Sequence, residues 1–155
     1  MKIEKKLTEM GLILPKPPAK GGVYTPAKKF GPNLVYISGC GPVLDGVPIA
    51  GKLGREFTVE QGRLYAKQAM LNVLANLKAC IGDLDHVKSC VKILALVASA
   101  DDFYEQPQVA NGASGLLVEL FGEEIGTPTR SGIGVNALPG NIPVEIEGIF
   151  EVRQD

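Results

Sequence analysis

Across 155 residues the chain has no tryptophan, one histidine (His86) and three cysteines, Cys40, Cys80 and Cys90. Each scarcity excludes some chemistry. One histidine with scattered thiols does not make a zinc constellation, which needs paired ligands at short spacing, so no metal is expected. An odd cysteine count without C-x-x-C spacing argues against a disulfide framework and fits a reducing compartment. Net charge is also nearly absent, at −1. No basic field is available to hold a phosphate backbone, and no nucleic-acid partner is expected. The aromatic share is 6% and is not interleaved with Lys and Arg, which leaves no base-stacking platform. No run approaches the roughly 20 apolar residues of a membrane span. Lys2, Lys5 and Lys6 are followed only by Leu12-Ile13-Leu14, broken at Pro15, which is too short for a signal-peptide core. The expectation is a soluble, cytoplasmic protein with no membrane partner.

What remains is ordinary globular material: 45% hydrophobic and 21% charged residues, in a length suited to one domain spanning 1–155. Ile3, Leu7 and Met10 have helical spacing and Gly11 can end the turn. Residues 1–21 therefore read as a short helix followed by a Pro-rich surface connector. Val23 to Phe30 and Asn33 to Ser38 flank Gly31-Pro32 as a β-hairpin, and Asp45-Gly46 marks another turn. Thr58 to Ile81 predicts a long helix, capped by Thr58 with Gln61 at capping-box spacing and stopped by Gly82. Leu64, Leu71, Leu74, Leu77 and Ile81 trace its expected apolar face. His86 to Ala98 is apolar enough for a central strand buried on both faces. Asp101-Asp102 can cap a second helix over roughly 102–121 that ends at Gly122. Pro107 suggests a start nearer 106. Strands follow over Thr129 to Asn136 and Pro143 to Arg153, joined by a Leu138-Pro139-Gly140-Asn141 turn.

This order predicts an α/β (α+β) fold, with one mixed sheet and both helices packed on a single face. Two helices cannot cover both sides of a sheet whose long strand is apolar on both. The bare side is expected to bury itself against other copies of the chain.

The segment richest in candidate chemistry runs from Thr129 to Glu147. Arg130 opens a strand just past a Gly/Pro loop, and its guanidinium is a rigid fork of donors suited to a carboxylate. On composition alone the reading as a solvated surface arginine, or as an ion pair with Glu145 or Glu147, is preferred. Those two glutamates alternate onto one face of the last strand. They meet water there, or one of them lines a cleft and moves a proton.

Thr129-Arg130-Ser131, Leu138-Pro139 and Val144-Glu145-Ile146-Glu147 together resemble the C-terminal signature of the RidA/YjgF (reactive intermediate deaminase, endoribonuclease L-PSP-like) family. Leu34-Val35-Tyr36-Ile37-Ser38-Gly39 resembles its N-terminal signature, and the match covers about residues 22–153. The resemblance implies a chorismate-mutase-like fold and a homotrimer with clefts between subunits. It also implies cofactor-free hydrolysis of reactive 2-imino or enamine acids to 2-keto acids and ammonia. On the same basis Arg130 would bind the carboxylate of a small metabolite and Glu145 would orient water. Tyr24, Ser38, Gly39, Cys40, Asn111, Ser131 and Gly132 would border the substrate.

The sequence departs from the best-known deaminase branch at two of these positions. Gly132 stands where that branch commonly has cysteine, and Cys40 where it usually has glutamine. A non-catalytic sensor of carboxylate metabolites using the same cleft is therefore the alternative. An endoribonuclease or translation-inhibitor role is disfavoured by the near-neutral charge. Cys40 with the remote His86 makes no nucleophile pair, and Cys80 and Cys90 read as core. His86 reads as a surface residue. Ser114 lacks a G-x-S-x-G elbow, and Gly39-Cys40-Gly41 precedes no helix as a nucleotide loop would.

Overall fold

A computed structural model describes residues 2–154; the two terminal residues of the expected 1–155 unit lie outside the described residues. In chain order the elements are α1 (Lys2–Glu9), β1 (Ala27–Phe30), β2 (Leu34–Cys40), β3 (Val43–Leu44), β4 (Val47–Pro48), α2 (Val59–Ile81), β5 (Val87–Ala98), α3 (Gln106–Gly126), β6 (Thr129–Val135) and β7 (Val144–Val152). Five strands form one mixed sheet in the order β1-β2-β7-β5-β6, and β3-β4 is a separate small hairpin. Only β5 and β6 run parallel, joined by the α3 crossover, while the other neighbours are antiparallel. The class is mixed α+β, as expected, with α1 as a third helix.

Alternation sets the two faces of the sheet. In β7, Val144, Ile146 and Phe150 are fully buried beneath α2, while Glu145, Glu147, Ile149 and Glu151 between them are only half-buried. In β5, Ile93, Ala95 and Val97 are buried against α3, whereas Leu94 and Leu96 are half-buried and Lys88 and Lys92 exposed. The expectation that this strand is buried on both faces fails within one chain, because both long helices lie on the same side. The other side is an open face carrying Phe30, Tyr36, Leu94, Leu96, Ile133 and Ile149.

Local chemistry sets the element ends. Thr58 and Gln61 complete a reciprocal capping box at the start of α2, and Gly82 closes the helix with φ 86°. Asp45 and Gly46, both at positive φ, make the turn between β3 and β4. The first arm of the hairpin starts at Ala27 rather than Val23, because the chain turns at 22–24 with Tyr24 N–H bonded to the Gly22 carbonyl (3.2 Å). Helix α3 begins at Gln106 with Pro107 in its first turn, so Asp101-Asp102 lie in the preceding turn and cap nothing. It also continues past Gly122, whose φ of 82° interrupts the helix before one more turn to Gly126.

The buried stripe of α2 runs through Gly62, Tyr65, Ala66, Ala69, Met70, Val73, Leu74 and Leu77, and Leu64 is exposed. Packing against α3 sets this phase. A Cβ placed on Gly112 would sit 2.0 Å from the Arg63 carbonyl oxygen, so the two backbones approach as only glycine permits. Among the described residues no helix is long and apolar enough to cross a membrane. Gly112→Ala, which must push α3 off α2, is expected to destabilise the protein by about 2 kcal/mol or more, read from urea unfolding at fixed protein concentration.

Candidate functional site

Arg130 pairs with Ile93 across the β5–β6 ladder and shares its helix-facing side. Its side chain is half-buried and reaches α3, where Nη1 donates to Asn111 Oδ1 (2.6 Å) and Ser114 Oγ (3.4 Å). Asn111 and Ser114 are three residues apart and so occupy one helix face. The arginine is therefore neither loose in solvent nor paired with Glu145 or Glu147. Nε and Nη2 have no protein partner among the described residues, which leaves one edge of the fork available for a carboxylate. Gly132 lies on the same side, where an added Cβ would approach Ala110 Cβ at 3.3 Å and the Gln106 carbonyl at 3.4 Å. Ser131 alternates to the open face opposite Leu94.

Glu145 belongs to a different neighbourhood. It lies between the buried Val144 and Ile146, so it projects to the open face, opposite Leu96. There it rests on Gly39: a Cβ at that position would fall 2.7 Å from Glu145 Oε1. Burial raises the Glu145 carboxyl above its ordinary range, and the Glu147 carboxylate adds to the rise. Beside it Tyr36 donates its hydroxyl to Glu147 Oε1 (2.5 Å), and that bond raises the phenol in turn.

The turn under Gly39 is held from below. On the otherwise apolar face of α2, Asn72 donates from Nδ2 to the Gly41 carbonyl (2.9 Å) and Asn76 from Nδ2 to Cys40 Sγ (3.4 Å). Both asparagines are 5% exposed. Residues 72 and 76 are the one signal by which the sequence marked this support: two amides at i, i+4 spacing inside a helix that needs none for solubility. Cys40 is buried, and burial first, with Glu145 adding, pushes its thiol up to about 11 against the lowering effect of Asn76. That is a packed thiol, not a nucleophile. Its side chain faces the core while its backbone borders the turn. Cys90 is buried likewise, its thiol pushed to about 12 by burial, and Cys80 sits half-buried at the core's margin.

Ser38 closes the turn outward. Its N–H donates to the Pro26 carbonyl (2.9 Å) and its hydroxyl to the Thr25 carbonyl (2.7 Å). Tyr24, 44% exposed, accepts from Gly21 N–H at its hydroxyl (3.1 Å) and stands between two hollows. One, of about 260 Å³, lies over Gly39, Cys40, Gly41 and the two asparagines; the other, of about 390 Å³, opens past Ser38 toward Tyr36. A larger groove of about 510 Å³ under the N-terminal connector has none of these residues in its lining, and its lysine, Lys78, is already paired with Glu4.

Apart from Ser131, the predicted residues thus form two groups. Arg130, Asn111 and Gly132 lie between β6 and α3; Glu145, Gly39, Cys40, Ser38 and Tyr24 lie at the β2–β7 end of the sheet. Through the ladder Arg130 is level with Ile93 and Gly148, two strands across and three residues along from Glu145. That places their Cα atoms roughly 14 Å apart, with the side chains on opposite faces. One chain cannot bring both to one small ligand. Ser114, the second partner of Arg130, carries no motif that marks it in the sequence, and only the packing of α3 beside β6 brings it to the guanidinium.

The chain as a whole is similar to known proteins. A family model described as "YjgF/chorismate mutase-like, putative endoribonuclease" matches residues 4–142. Protein TCP17 of Trypanosoma cruzi is 37% identical over 153 residues, covering 98% of this chain and 95% of that protein. A solved structure of a "putative endoribonuclease" from Shewanella oneidensis superposes with TM-score 0.93 at 31% identity, over 98% of this chain and 100% of that one. RidA from a Psychrobacter species superposes with TM-score 0.58 at 29% identity, over 88% of this chain and 94% of that one.

The raised Glu145 carboxyl has a consequence for stability. A carboxyl whose folded pKa is raised contributes stability that is complete below its unfolded pKa and is lost as pH rises through the folded value. Unfolding free energies measured from about pH 4 upward are therefore expected to fall relative to those of Glu145→Gln, which lacks the titrating group. Parallel pH profiles for the two proteins would show that the carboxyl is not perturbed.

Proposed function

This chain belongs to the YjgF/chorismate mutase-like family, and on that premise we propose that it hydrolyses reactive 2-imino or enamine acids to 2-keto acids and ammonia. The sites in this reading are clefts between neighbouring subunits of a homotrimer, each subunit a single RidA/YjgF-like unit. The observation that carries it is the placement of Arg130 and Glu145. They lie on opposite faces of one sheet, each with an unused chemical edge, and become partners only when the β6–α3 edge of one copy meets the open face of another.

The division of labour follows from the two neighbourhoods. The free Nε/Nη2 edge of Arg130 takes the substrate carboxylate as a bidentate pair, and Asn111 and Ser114 hold the guanidinium in place. Glu145 of the neighbouring copy orients a water toward C2 and accepts its proton as the C–O bond forms. Its raised pKa suits a group that must take a proton and pass it on. Glu145 hands that proton to nitrogen, giving a carbinolamine; the second proton then passes from its hydroxyl to nitrogen, and as the C=O bond forms the C–N bond breaks and ammonia leaves a 2-keto acid. Ser38, Gly39 and Cys40 supply the backbone wall beside the reacting atoms.

A second reading is favoured by Gly132. No thiol is present there, and Ala110 and Gln106 have closed against the strand so that even a Cβ is a tight fit. The same cleft would then bind a carboxylate metabolite without turning it over. A keto acid that raises the melting temperature in proportion to its concentration, with no ammonia released from imino acids, selects this reading.

Arg130→Ala is expected to weaken binding by about 2–3 kcal/mol and Glu145→Gln to abolish turnover with binding retained. Co-assembly of the two inactive variants in equal amounts tests the shared cleft. Random mixing reunites an intact Arg130 with an intact Glu145 in about a quarter of the interfaces, and activity should return to that level. A mixture as inactive as its components, or an Arg130→Ala protein as active as the parent, refutes the arrangement.

A further inference from the structure

Beyond Ser38 the open face carries a feature that a three- or four-carbon substrate would not use. The recess of about 390 Å³ is lined by Tyr24, Thr25, Lys28, Phe30, Tyr36 and Ser38. Its first and last members also border the proposed cleft, so the two spaces adjoin at Tyr24 and Ser38. The other walls are aromatic and accessible: Phe30 is 42% and Tyr36 38% exposed, with ring centroids 6.5 Å apart and planes inclined at 45°. Tyr36 is a fixed wall, because its hydroxyl is tied to Glu147. Lys28 stands opposite Tyr36 in the β1–β2 ladder and on the same face, and its ammonium has no ion-pair partner among the described residues.

We infer that this recess is the side-chain subsite of the cleft and that the substrates are 2-imino acids bearing an aromatic ring. The inference rests on the proposed function and adds the substrate class. Size permits it, since an apolar cavity of about 150 Å³ already holds benzene. Shape favours it, because two inclined rings offer both an edge and a face to a third. The unpaired ammonium at the rim suits the electron-rich face of that ring, or an acceptor substituent on it. A methyl or ethyl side chain would leave those walls wet and Lys28 unengaged.

The stable product acids serve as probes: phenylpyruvate and 4-hydroxyphenylpyruvate against pyruvate and 2-oxobutanoate, each titrated calorimetrically into the intact protein. The aromatic acids are expected to bind about tenfold or more tightly than the small ones, the gain of burying a ring. Phe30→Ala and Lys28→Met should each bring that ratio toward one, and Phe30→Tyr should preserve it. Both replaced side chains are exposed on the single chain, and size-exclusion chromatography with the melting temperature checks that the variants keep the parent's assembly and fold. Equal affinity for small and aromatic acids, or a preference untouched by both Phe30→Ala and Lys28→Met, overturns the aromatic subsite and leaves the proposed function standing. Failure of all four acids to bind overturns both.

Discussion

A five-stranded sheet covered on one face only is the constraint from which the rest of this protein follows. Alternating side chains on β5 and β7 commit every second residue to the core beneath α2 and α3, and the residues between them to a face with no helix over it. Arg130 follows the first set and Glu145 the second. Their separation is thus a consequence of strand register. No rotamer change reunites them within a chain, and no one-residue slip does so without also turning Ile146 and Phe150 outward.

The two neighbourhoods are prepared differently. Around Arg130 the chain supplies neutral hydrogen-bond acceptors, Asn111 and Ser114, which orient a guanidinium without neutralising it. A carboxylate partner in the same place would have quenched its attraction for an anionic ligand. Around Glu145 the chain supplies burial and a second carboxylate, both of which favour the protonated form over what water would allow, and a glycine against which the carboxyl lies. A permanently charged anchor and a carboxyl poised to exchange its proton are the two halves that the proposed hydrolysis requires.

Support for the glycine turn comes from inside the helix layer. Asn72 and Asn76 reach out of α2 to the Gly41 carbonyl and the Cys40 sulfur, making hydrogen bonds with otherwise buried polar atoms. The same turn is gripped from outside by Ser38 on the Thr25 and Pro26 carbonyls. Backbone held from both sides stays put when a ligand arrives, which is the property a small, solvent-reachable site requires.

Much of this was legible in the sequence because it is local. The capping box at Thr58, the stops at Gly11 and Gly82, the Asp45-Gly46 turn and the strict alternation of β7 each depend on a few neighbouring residues, and the structure follows them. Where the reading failed, a distant contact had decided the matter. Leu64 is turned outward because Gly62 and Gly112 let α2 and α3 touch. Asp101-Asp102 cap nothing because Pro107 and the preceding turn set the start of α3. The strand at 87–98 is half open because both helices pack on one side. The sequence by itself determined which side chains could do chemistry, since residue type and motif order are properties of the string. Tertiary structure alone decided which of them share a space, because faces and cavities are set by pairing register and helix packing between segments far apart in the chain.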